Sequence, residues 1–74
     1  MNLTQEQYFN FGVDMGKAIY EHELHGNSYL ASIFDEETAK ILLKKVQIGV
    51  NRIFPHQEII AKGIKLGVLT GGVK

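Results

Sequence analysis

Seventy-four residues suffice for one small domain, and a chain this short buries only about 60–65% of its unfolded surface, so its core is marginal. It has no cysteine, which excludes a disulfide framework or a thiolate metal site and suits a reducing cytoplasm. Formal charge is zero, yet residues 1–37 hold seven acids against Lys17, a net −6, and residues 38–74 hold seven bases against Glu58, a net +6.

So complete a division predicts an acidic half lying against a basic half within one fold. Head-to-tail pairing of subunits, or a basic surface for an acidic partner, would use it differently. No apolar run approaches the roughly 18–20 residues of a membrane span. Met1-Asn2-Leu3-Thr4-Gln5-Glu6 lacks the basic-then-apolar layout of a signal peptide. A soluble, cytoplasmic domain covering residues 1–74 is expected.

The first helix is predicted over about residues 5–25. Thr4 suits the N-cap, Gln7 completes a Thr-x-x-Gln capping box, and Leu3 and Tyr8 stand at staple positions. Gly26, with Asn27 and Ser28, marks its end. Two apolar stripes run along it: Tyr8, Phe11, Met15, Ala18 and Ile19, then Phe9, Val13, Tyr20 and Leu24. Asn10, Asp14, Lys17 and Glu21 are the only clean polar stripe, so this helix needs neighbours on two sides. Gly12 and Gly16, near the junction of the stripes, cost helix stability but share one face, where a second backbone can approach closely. That backbone can belong to the same domain or to another chain.

Residues 27–34 are too apolar for a free loop and predict a short helical turn that plugs the core. Asp35, with Ser32 as the alternative, caps a second helix over about 36–54, Glu36 and Glu37 complementing its dipole. Ala39, Leu42, Leu43, Val46, Gly49, Val50 and Ile53 form its buried stripe. Ile41 and Ile48 widen it, while Lys40, Lys44, Gln47 and Asn51 face water. Pro55 ends that helix and suits the start of a third, about 55–68, in which Gly63 and Gly67 repeat the glycine spacing among Ile59, Ile60, Ile64, Leu66 and Val68. The β-branched cluster at 59–69 is the one place where a strand competes, and Thr70–Lys74 reads as a frayed end. The predicted fold is all-α: an antiparallel helical hairpin with a third, shorter helix packed across it.

Chemistry-bearing patterns are sparse. His22 and His25 lie three apart at a helix end and His56 follows the proline, but zinc needs three or four convergent ligands, so no metal or other cofactor is expected. Ser28, Ser32, Thr38 and Thr70 have no base beside them, so no catalytic residue is assigned and the chain reads as non-enzymatic. Lys40, Lys44, Lys45 and Arg52 could line a helix face against phosphate, which makes a nucleic-acid-associated protein the alternative function. One arginine, no aromatic–basic interleaving and the acidic half next door argue against it. A membrane-surface helix over 59–74 would have only a few lysines to draw it to anionic lipid.

Protein association is the favoured reading. Tyr8, Phe9, Phe11, Gly12, Met15, Gly16, Ile19 and Tyr20 are its candidate contact residues, because three short helices cannot easily cover a helix that is apolar on two stripes. The expected protein is a small interaction module, a homodimer or higher oligomer, that acts as a regulator or inhibitor by binding another macromolecule. Its size would also suit a phage accessory factor.

Overall fold

The computed structural model describes residues 3–46 and 56–71. Among them the chain is entirely helical, with no strand. Helix α1 spans Gln5–Ala18, α2 Ser28–Ser32, α3 Glu36–Val46 and α4 Gln57–Thr70. A π-helical turn over Ile19–Glu23 continues α1. The all-α fold stands, and residues 59–69, where a strand competed, are helical.

Local signals account for the ends. The Thr4 hydroxyl accepts from the Gln7 N–H at 3.1 Å and the Thr4 N–H donates to Gln7 Oε1 at 2.8 Å, the reciprocal capping box. The first helix ends in two stages rather than running regularly to residue 25. After the wider π turn, His25 (φ 54°) and Gly26 (φ 72°) enter the left-handed region, and the Gly26 N–H reaches back to the Tyr20 carbonyl at 2.7 Å. Asn27 caps α2 through the Leu30 N–H at 3.1 Å. Asp35 Oδ1 caps α3, accepting from the Thr38 N–H at 2.8 Å and the Thr38 hydroxyl at 2.7 Å. Ser32, the alternative cap, instead donates to the Tyr29 carbonyl.

Helix α4 is the hub. Ile60, Ala61, Ile64 and Val68 are fully buried, and Ile19, Tyr20, Ala31, Phe34, Ala39 and Leu43 complete the core. Two pairings organise it. Gly12 lies against Ile60 and Gly63, and Gly16 against Ile64 and Gly67, so residue numbers rise together and α1 runs parallel to α4. Lys40 approaches Glu58 at 3.9 Å, while Lys65 lies close enough to Asp35 to help hold its carboxyl ionised. Numbers there run in opposition, so α3 is antiparallel to α4. The antiparallel pair is therefore α3 with α4, and the helix laid along it is α1. Sequence order suggested instead that the first two helices would form the hairpin.

The connecting segment contributes Ala31 and Phe34 to the core but leaves Tyr29, Leu30 and Ile33 exposed, so it plugs less than its composition suggested. Ile41, read as widening the buried stripe of α3, points outward at 53% exposure, because Ala39 and Leu43 already fill the side toward α4. The third helix begins at Gln57 and includes Thr70, whose hydroxyl donates to the Leu66 carbonyl at 2.8 Å. The predicted positions Gln47 to Pro55, Arg52 among them, lie outside the described residues.

Candidate interaction surface

The glycine notch is filled by the chain's own α4. A Cβ on Gly12 would fall on the Ile60 carbonyl oxygen and 3.1 Å from Gly63 Cα, and one on Gly16 would fall on the Ile64 carbonyl oxygen and 2.8 Å from Gly67 Cα. Gly63 and Gly67 meet the Phe9 and Val13 carbonyls in the same way. Two glycine pairs thus interlock, and the helices approach until backbone touches backbone. Gly12 and Gly16, candidate contacts for another chain, are buried within this one, as are Ile19 and Tyr20.

With α4 seated in the notch, members of both stripes of α1, Ile19 and Tyr20, enter the core. Tyr8 and Met15 pack against the core. Tyr8 also stacks on His56, ring centroids 4.0 Å apart and planes 17° from parallel. Phe11 lies on the outer side of α1 at 44% exposure. Of the second stripe, Tyr20 belongs to the core and Leu24 packs against it, whereas Phe9 and Val13 are half-buried and outside the core cluster. Helical spacing brings Ile59 and Leu66 of α4 to the same side, Ile59 half-buried and Leu66 42% exposed. Ala31 of α2, Phe34 of the connection and Ala39 and Leu43 of α3 enter the core, whereas Phe9, Val13, Ile59 and Leu66 stand outside that cluster. Ile59 and Leu66 were read from sequence only as apolar positions of the third helix. The matching spacing of Gly12/Gly16 and Gly63/Gly67 was the signal that could have joined them to α1.

The Tyr20 hydroxyl donates to the Gly26 carbonyl at 2.9 Å and lies 3.5 Å from the Ser28 hydroxyl, and the Tyr20 ring packs on Gly71. Lys40 is largely covered and bridges Glu37 at 3.6 Å and Glu58 at 3.9 Å, while Lys44 and Lys45 are exposed. The Glu37–Lys40 pair and the Asp35–Lys65 approach join the acidic and basic halves within one chain. His22 and His25 are exposed, and among the described residues no group of three or more His, Asp or Glu could hold a metal ion. No helix among them is long and apolar enough to cross a membrane.

The titration of Asp35 is displaced by its capping role. The Thr38 N–H and then its hydroxyl, with a smaller contribution from Lys65, hold it below the usual carboxylate range. This is capping chemistry at the start of α3. Comparison with family models, with characterised proteins and with solved structures found no match.

Proposed function

We propose that this protein is a small, non-enzymatic interaction module that binds another protein chain through the open face of the α1–α4 pair and acts as a regulator or inhibitor by occupying its partner. The observation that supports this reading is the face itself. Phe9, Val13, Ile59 and Leu66 present apolar surface on two rigid helices whose mutual packing is used up in backbone contact. Glycine-to-glycine packing brings dispersion contact but removes little apolar side-chain area from water. Among the described residues, only Ile60, Ile64 and Val68 of the larger side chains are completely enclosed. A 74-residue domain with so small a core gains stability from any partner that covers the remaining face.

The absence of cysteine suits action in the reducing cytoplasm. A test replaces Leu66, and in a parallel variant Ile41, with a photo-cross-linking amino acid in the cells that make the protein. The interaction reading expects one defined protein adduct from position 66 and none from position 41, which lies on the outer side of α3. Adducts of equal yield and pattern from both positions would count against it.

A further inference from the structure

We draw no further inference here: the strongest candidate, the apolar surface patch of Phe9, Val13, Ile59 and Leu66 on the α1–α4 pair, belongs to the surface already described, and nothing in the structure shows what covers it.

Discussion

Gly12 and Gly63 face each other so closely that a β-carbon on Gly12 would lie 3.1 Å from Gly63 Cα, and one on Gly63 would lie 3.0 Å from Gly12 Cα. Gly16 and Gly67 repeat the relationship one turn further on, at 2.8 and 3.0 Å. The atoms a side chain would meet are backbone on both sides, so no rotamer change can make room. This contact fixes the parallel setting of α1 on α4 and thereby decides which side chains remain outside.

Gly12→Ala and Gly16→Ala therefore set two effects against each other. Alanine favours an isolated helix by about 1 kcal/mol over glycine, but the added methyl group must push α4 away from α1. Overpacking of this kind costs about 1–3 kcal/mol. Because the obstruction is backbone, net destabilisation is expected, read as a lower midpoint in urea with unchanged slope. Either alanine raising the midpoint would show that the helices are not in contact there.

Pairing is tested by combining variants. Once Gly12→Ala has separated the helices, Gly63→Ala should add less than its own separate cost, since the two glycines share one gap. A double-mutant cycle should give a coupling of about 0.5–3 kcal/mol. Strict additivity would place the two glycines in separate environments.

At the start of α1, Thr4→Ala removes the acceptor for the Gln7 N–H. The loss should be about 1 kcal/mol. Thr4→Asn keeps an acceptor and should retain most of the stability. Thermal unfolding of both variants checks this, and equal loss in the two would remove the cap from the account.

Tyr20→Phe deletes the hydroxyl that donates to the Gly26 carbonyl but leaves the ring against Gly71. A loss of about 1 kcal/mol is expected. Amide exchange should also quicken at Gly26 and Asn27, whose N–H groups are bonded to the Tyr20 and Leu24 carbonyls. Unaltered exchange there would mean that the turn holds without the hydroxyl.

Asp35 gives the stability a pH dependence of known sign. Its folded-state carboxyl titrates below the ordinary carboxylate value, first because of the Thr38 N–H. Its stabilisation is therefore complete above the unfolded-state value and is lost as pH falls through the lower, folded-state value. Asp35→Asn retains an acceptor oxygen and does not titrate. The variant should lose less stability between neutral pH and strong acid than the parent, measured by denaturant midpoints across that range. Parallel curves would exclude Asp35 as a source of the acid sensitivity.

Local rules were enough to read the helices from the sequence. The Thr4–Gln7 box, the Gly26 stop and the Asp35 cap each depend on residues within one or two turns of one another, so short-range hydrogen bonding and backbone preference settle them. Periodicity likewise identified Ala39 and Leu43 as inward positions, whereas Ile60, Ile64 and Val68, buried in the structure, were read only as apolar positions of the third helix. The two-stripe excess on α1 was also legible, and Phe9 and Val13 were correctly placed on the stripe apart from Tyr8 and Met15.

Which backbone fills the Gly12–Gly16 notch was not decided by the sequence of α1, because a glycine pair specifies closeness and not identity. Only the tertiary structure supplied Gly63 and Gly67, about fifty residues away, as the matching pair, and with them the parallel setting of α4. The same long-range choice turned Ile41 outward and buried Ile19 and Tyr20. It also brought Ile59 and Leu66 beside Phe9 and Val13, a surface that no local pattern contains. Helix ends follow from neighbours in sequence, whereas an exposed face depends on which helices have already consumed each other's surface.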